Sequence, residues 1–114
     1  LAGRLHDADL TIVVSNDDGG GIFEYLPVAQ CVPRSVFEPM FAVPHGLDLR
    51  ELACGLGWQG ARAESSATFS QALDRALRGG RHVIEVPVDR AVNTDFHAAL
   101  NDAVRDALRR EPLP

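Results

Sequence analysis

The run Leu10-Thr11-Ile12-Val13-Val14, followed without a break by Ser15-Asn16-Asp17-Asp18-Gly19-Gly20-Gly21-Ile22-Phe23, decides how the rest of the chain is read. Leu10 to Val14 is nearly continuously apolar instead of alternating, the pattern of a strand covered on both faces of a parallel sheet. It ends in a cluster of hard oxygen ligands and then a glycine run. Open α/β sheets bind ligands just beyond the carboxyl ends of their strands. Carboxylate and carbonyl oxygens suit Mg²⁺, and glycines let backbone N–H groups come close to an anion such as phosphate. Composition alone favours a plainer alternative, because Asn, Asp and Gly dominate ordinary turns.

Toward the C-terminus, Ile22 to Leu26 is predicted to form a short helical turn ended by Pro27. From there to Gly46 no period holds; Pro27, Pro33, Pro39 and Pro44 punctuate the run, with Val32, Val36, Phe37, Met40 and Phe41 between them. That apolar content predicts a packed loop, not a disordered linker. Asp48-Leu49-Arg50-Glu51 has capping-box spacing, and Leu49, Leu52, Ala53 and Leu56 follow the helical period up to a left-handed stop at Gly57. A short strand is expected over Trp58 to Ala63. A helix capped by Ser66 or Thr68 follows, running to Arg78 with Phe69, Ala72, Leu73, Ala76 and Leu77 on one face. His82 to Val88 reads as a strand whose Pro87 marks an edge or an end. A last helix, capped by Asn93 or Thr94, carries Phe96, Leu100, Ala103, Val104, Ala107 and Leu108 and stops by Pro112. The alternation predicts an α/β fold, a three-layer parallel sheet with helices on both faces joined by right-handed crossovers.

The whole chain sets limits on function. Its 114 residues make about one domain. The net charge of −5, with no basic cluster, argues against a nucleic-acid binder. No apolar run approaches the ~20 residues of a membrane span, and no signal-peptide pattern opens the chain. Leu1 to Leu5, lacking Met, reads as the tail of a helix whose start lies upstream, so the chain is expected to be a piece of a longer protein. Cys31 and Cys54 lack zinc spacing and are too few for a disulfide framework, which predicts reduced thiols in a cytoplasmic protein. His6, His45, His82 and His97 show no metal-pair spacing, Trp58 reads as a packing residue, and Glu85 as a structural strand residue.

With these elements in place, residues 8 to 108 resemble the second half of a thiamine-diphosphate-binding domain. Such domains carry a Gly-Asp-Gly-like element after one strand and an Asn-Asn-like element with glycines after the next. Asn16-Asp17-Asp18-Gly19-Gly20-Gly21 matches the second element. Asp48 to Gly57, Phe69 to Leu77 and Val83 to Asp89 match the pattern that follows it. The string continuing into Ile22-Phe23, with Phe41-Ala42-Val43-Pro44-His45 downstream, is most similar to the 2-succinyl-5-enolpyruvyl-6-hydroxy-3-cyclohexene-1-carboxylate synthase family of menaquinone biosynthesis. Asp18 stands where that family usually has Asn, and the 114 residues contain no Gly-Asp-Gly-like element. The first metal ligand and half of the diphosphate cradle are therefore expected upstream.

The resemblance implies a role for each residue of the turn. Asp17 would give a side-chain oxygen, and Gly19 its carbonyl, to Mg²⁺ or Mn²⁺. Asn16 and Asp18 would orient the turn from beside the cofactor. Gly20 and Gly21 would offer amides to the diphosphate of thiamine diphosphate, or simply shape the turn. Ile22 and Phe23 would wall cofactor and substrate, or anchor the loop in a core. No catalytic residue is expected within this chain. The intact enzyme would be a cytoplasmic homodimer or homotetramer that decarboxylates 2-oxoglutarate and adds the succinyl unit to isochorismate; the chain alone would be inactive. Two alternatives are another thiamine-diphosphate-dependent enzyme, of the 2-oxo-acid decarboxylase or acetohydroxyacid-synthase kind, and a non-catalytic flavodoxin-like binding module.

Overall fold

In a computed structural model, which describes residues 8–110, the chain forms two compact units, residues 8–19 with 44–88 and residues 20–43 with 89–110. The first is the sheet unit. Strand β1 (Leu10–Asn16), β2 (Gln59–Arg62) and β3 (Arg81–Pro87) pair in the order β1-β3-β2, all parallel. Consecutive β3 residues point to opposite faces, so each face takes its own helix. On one face Val83 and Ile12 of the sheet, Ala53 and Leu56 at the C-terminal end of helix α3 (Leu49–Gly55), and Trp58 line one apolar depression. On the other, Ile84 packs with Ala63 and with Ala72 and Ala76 of helix α4 (Ser66–Ala76), flanked by Ala61, Phe69, Leu73 and Val86. This is the expected three-layer α/β arrangement.

The helix signals held with small displacements. Asp48 caps α3 by accepting from the Glu51 amide at 2.7 Å. After α3 the chain reverses at Gly57, φ +79°, with the Trp58 amide bonded back to the Ala53 carbonyl. The cap of α4 is Ser65, one residue before the predicted position. Its hydroxyl accepts from the Thr68 amide while Thr68 Oγ1 accepts from the Ser65 amide, a reciprocal box that starts the helix at Ser66. The helix ends at Ala76, two residues short of Arg78. Pro87 ends β3, the central strand, so of the two expectations for that proline the end is the one realised. Strand β1 runs two residues further than predicted, through Asn16, because Val88 donates to the Asn16 carbonyl at 2.8 Å. Leu10, Ile12 and Val13 are nevertheless 41–48% exposed, so β1 is not covered on both faces by the described residues.

The second unit holds the segment in which no period was legible. It consists of a 3₁₀ turn (Gly21–Tyr25), helix α1 (Val28–Cys31), helix α2 (Arg34–Phe37), a π-helical turn (Glu38–Ala42) and helix α5 (Arg90–Arg110). The 3₁₀ turn is the predicted short helical turn. Pro27 and Pro33 occupy the cap positions of α1 and α2, where a missing N–H costs nothing. The segment is packed, as its composition implied: Phe37 and Ala42 are fully buried. Phe37 stacks on Phe41 at 5.7 Å, and Phe41 meets the edge of Phe23 at 6.0 Å.

The cap of helix α5 lies four residues before Asn93 and five before Thr94. Asp89, not Asn93 or Thr94, accepts from an early amide, that of Val92, at 3.0 Å. Asn93 instead donates to the Tyr25 hydroxyl, and Thr94 bonds back to the Arg90 carbonyl. Arg34 and Arg90 each reach both Glu24 and Glu38, tying α2 and α5 to the 3₁₀ and π-helical turns. The expectations for Leu1 to Leu5, His6 and Pro112 lie outside the described residues.

Candidate functional site

The acidic turn leaves the sheet at the carboxyl end of β1, and its first half belongs to the sheet unit. Asn16 is the last residue of β1, and its two amide atoms have opposite partners. Nδ2 donates to Glu85 Oε1 at 2.7 Å, and Oδ1 accepts from the Asp18 amide at 3.0 Å. Flipping the amide would set oxygen against a carboxylate and NH₂ against an N–H, so the orientation is fixed by its surroundings. The short Asn16–Asp18 bond closes an Asx turn, which carries Asp18 into the left-handed region at φ 57°. Asn and Asp are the non-glycine residues that tolerate this conformation best, so Asp at a position usually held by Asn leaves the local shape intact. Gly19 follows at φ 141°, where a side chain would be strained.

The two aspartates differ in what holds them. Asp18 Oδ1 accepts from the backbone amides of His45 and Gly46, at 3.1 and 2.7 Å, and clamps the segment after Pro44 against the turn. His45 Nδ1 lies 3.4 Å from the same oxygen while accepting from the Leu47 amide at 2.9 Å. Asp17 is half-buried, and among the described residues no donor is bonded to its carboxylate. One carboxylate is thus used within the fold and its neighbour is left with its lone pairs available.

The second half of the turn belongs to the other unit. The Gly20 amide donates to the Ala42 carbonyl at 2.6 Å. It is therefore occupied in this conformation, whereas the sequence reading offered it with Gly21 to a diphosphate. A Cβ at Gly20 would lie 2.6 Å from the Phe41 carbonyl oxygen and 2.9 Å from the Phe23 ring, so the position admits glycine alone without a shift. Gly21 is buried at the start of the 3₁₀ turn. Ile22 is 70% exposed and Phe23 half-buried against Phe41. Within this unit Phe23 is thus a packing anchor, and Ile22 is presented to solvent.

Other expected candidates stay apart from the turn. His82 is buried on β3, its Nε2 3.0 Å from the Gly79 carbonyl. His97 packs edge-on to Tyr25, and Cys31 and Cys54 are free thiols. Among the described residues no three His, Cys, Asp or Glu side chains converge as a metal site, and no helix is long and apolar enough to cross a membrane. The residue that sequence reasoning undervalued is Glu85. It is fully buried, and it accepts from the Arg50 amide at 3.2 Å as well as from Asn16. A charged residue inside the apolar run Val83-Ile84-Glu85-Val86 was the available signal, since a buried carboxylate must be partnered.

The fold and the turn define an α/β protein with an acidic, glycine-rich turn at the carboxyl end of a parallel strand, in which one of two neighbouring carboxylates is bonded by no donor among the described residues. Within that class the likeness is specific. The chain is 46% identical over 91 residues to the 2-succinyl-5-enolpyruvyl-6-hydroxy-3-cyclohexene-1-carboxylate synthase of Myxococcus xanthus, covering 80% of this chain and 15% of the relative. It is 47% identical over 92 residues to the synthase of Rubrobacter xylanophilus, covering 78% and 15%. With that of Chloroflexus aurantiacus it shares 39% over 108 residues, 95% of this chain and 18% of the relative. The last match leaves too few residues aside to omit the turn. The similarity to this synthase family, expected from the turn, is therefore found over most of the chain, which spans less than a fifth of the length of these relatives. No protein-family model matches the chain.

Proposed function

We propose that this chain is the C-terminal, cofactor-binding portion of a thiamine-diphosphate-dependent synthase of menaquinone biosynthesis, whose remaining parts lie outside these 114 residues. The single observation that carries the reading is the likeness to synthases of that name across a region that includes the turn. The whole enzyme would decarboxylate 2-oxoglutarate and add the succinyl unit to isochorismate. Thiamine diphosphate, when bound, supplies the electron sink for that decarboxylation; the protein supplies binding and orientation.

The residues of the turn fit such a group. Asp17 offers an unspent carboxylate and would bind Mg²⁺ or Mn²⁺ together with the Gly19 carbonyl, because Mg²⁺ takes oxygen ligands at about 2.1 Å and shares its shell with phosphate. Asn16 and Asp18 would hold the turn's shape through their bonds to Glu85, His45 and Gly46. Gly21 would present its amide to the diphosphate, Gly20 joining only if it leaves Ala42. Ile22, exposed, would close on the cofactor or substrate, with Phe23 anchoring it. The metal's remaining protein ligand would come from outside the chain, so the isolated chain would be inactive.

The test is product formation by the full-length protein supplied with Mg²⁺, thiamine diphosphate, 2-oxoglutarate and isochorismate. Formation of the succinylated cyclohexene carboxylate is expected. Decarboxylation of pyruvate in preference to 2-oxoglutarate would favour an acetohydroxyacid-synthase-like enzyme instead. Failure of thiamine diphosphate to bind would leave the non-catalytic module.

A further inference from the structure

The geometry points to Glu85 as a positioning residue for the turn, acting through Asn16. Glu85 sits on β3, sixty-nine residues from Asn16, and is fully buried. Its side chain points to the α3 face of the sheet, the same face as Val83 and Ile12. There its two oxygens divide the work. Oε2 accepts from Arg50, the second residue of α3, whose amide has no partner within the helix. Oε1 accepts from Asn16 Nδ2, and Arg62 Nη1 stands 3.6 Å from it.

A chain of bonds follows in which each step fixes the next. Oε1 of Glu85 holds the Asn16 amide in one orientation, and that orientation aims Oδ1 at the Asp18 N–H. The Asx turn so closed puts Asp18 at φ 57°, from where its carboxylate reaches the amides of His45 and Gly46. A buried acid on the central strand thus sets the conformation of the residues on either side of Asp17. Every member lies in the sheet unit, so the relay is complete within one compact set of elements. The consequence for metal and cofactor binding rests on the function proposed above; the coupling from Glu85 to Asp18 does not.

The test exchanges the polarity of the pair in the full-length protein. Asn16→Asp alone sets two carboxylates where a 2.7 Å hydrogen bond stood. Asn16→Asp with Glu85→Gln restores a donor opposite an acceptor: the Gln amide donates to Asp and its carbonyl still accepts from Arg50. Exchange of the Asp18 amide, measured without metal or cofactor, should rise at least about tenfold in N16D, where repulsion between facing carboxylates replaces the bond to Glu85 and drives the side chain at position 16 away from the turn. It should return to within about twofold of wild type in N16D/E85Q, the usual error of additivity. The Ala63 amide, bonded to the Glu85 backbone carbonyl, reports the intact β2–β3 ladder and should not change.

An unrescued Asp18 amide in the double variant would overturn the assignment. So would Ala63 exchange rising in step with Asp18, since Glu85 would then be acting only as a core residue. Addition of Mg²⁺ and thiamine diphosphate gives the second reading: half-saturation should shift upward in N16D and recover in the double variant. A wild-type protein that takes up neither defeats the proposed function but not the coupling, which hydrogen exchange alone decides.

Discussion

Gly20→Ala isolates the steric requirement at the middle of the turn. The backbone there has φ −91°, outside the left-handed region that demands glycine. What enters is a methyl group 2.6 Å from the Phe41 carbonyl oxygen and 2.9 Å from Phe23 Cδ2. The ring can yield by rotating; the carbonyl cannot, being part of the π-helical turn Glu38–Ala42. Relief requires Gly20 and Phe41 to separate, and the next carbonyl, Ala42, is the acceptor of the Gly20 amide. Overpacking costs about 1–3 kcal/mol, and a weakened backbone hydrogen bond adds about 1 kcal/mol, so roughly 2–4 kcal/mol is expected. Gly55→Ala is the control of opposite sign. It lies in helix α3 with no atom within 4 Å of a new Cβ, and Ala there should stabilise by about 0.5–1 kcal/mol. The measurement is denaturant unfolding of the full-length protein, with hydrogen exchange of residues 20–43 to localise the loss. A Gly20→Ala variant as stable as Gly55→Ala would refute the steric requirement at Gly20.

Asp17→Ala should raise the Mg²⁺ concentration for half-saturation by at least about tenfold without lowering the unfolding midpoint, whereas Asp18→Ala should lower protection of the His45 and Gly46 amides; equal metal affinities in the two would refute the ligand assignment. Ser65→Ala should cost about 1 kcal/mol and Ser66→Ala much less, as urea midpoints will show, because only Ser65 closes the reciprocal cap of α4. Hydrogen bonding from Arg90, with the charges of Arg90 and Arg34, holds the Glu38 carboxyl below the usual carboxylate range against a smaller desolvation effect. A depressed folded value means that this contribution is present above the unfolded pKa, about 4.3, and is lost as pH falls through the lowered folded value. Acid titration of stability should therefore be shallower in Arg90→Ala than in wild type below about pH 4.3, and the difference should shrink in high salt.

How far the sequence could be read depended on the range of the interaction that decides each element. Helices α3 and α4 are set by caps and apolar periods within a dozen residues, and both were legible apart from a shift of the α4 cap from Ser66 to Ser65 and an end at Ala76 instead of Arg78. Helix α5 was placed late because its apolar series starts at Phe96, while its first turns are held by Asp89 and by polar bonds to Tyr25, Glu24 and Glu38. Residues 27–42 form helical pieces of four and five residues, too short for any period to appear. The turn itself was legible as a string, Asn16 to Phe23. Asp17 was separated from Asp18 only through the resemblance; the bonds that separate them were not legible, because they are made by amides at His45 and Gly46, twenty-seven and twenty-eight residues away from Asp18.

The same separation explains why a buried glutamate in β3 belongs to the account of the site. Along the sequence, Glu85 is a charge interrupting an apolar strand. In the sheet it is the register partner of Val14 in β1 and Arg62 in β2, and it lies one step below Asn16. A parallel pair of strands ends at the same edge, so the residue that leaves the sheet from β1 is within reach of a side chain on β3. A turn that must present one carboxylate to a cation cannot also depend on that carboxylate for its own shape. Here the shape is held by Asn16, Asp18 and Glu85, and among the described residues no donor is bonded to the Asp17 carboxylate. That division is what makes an acidic turn a candidate site instead of an ordinary turn, and it survives whichever ligand the full-length protein proves to bind.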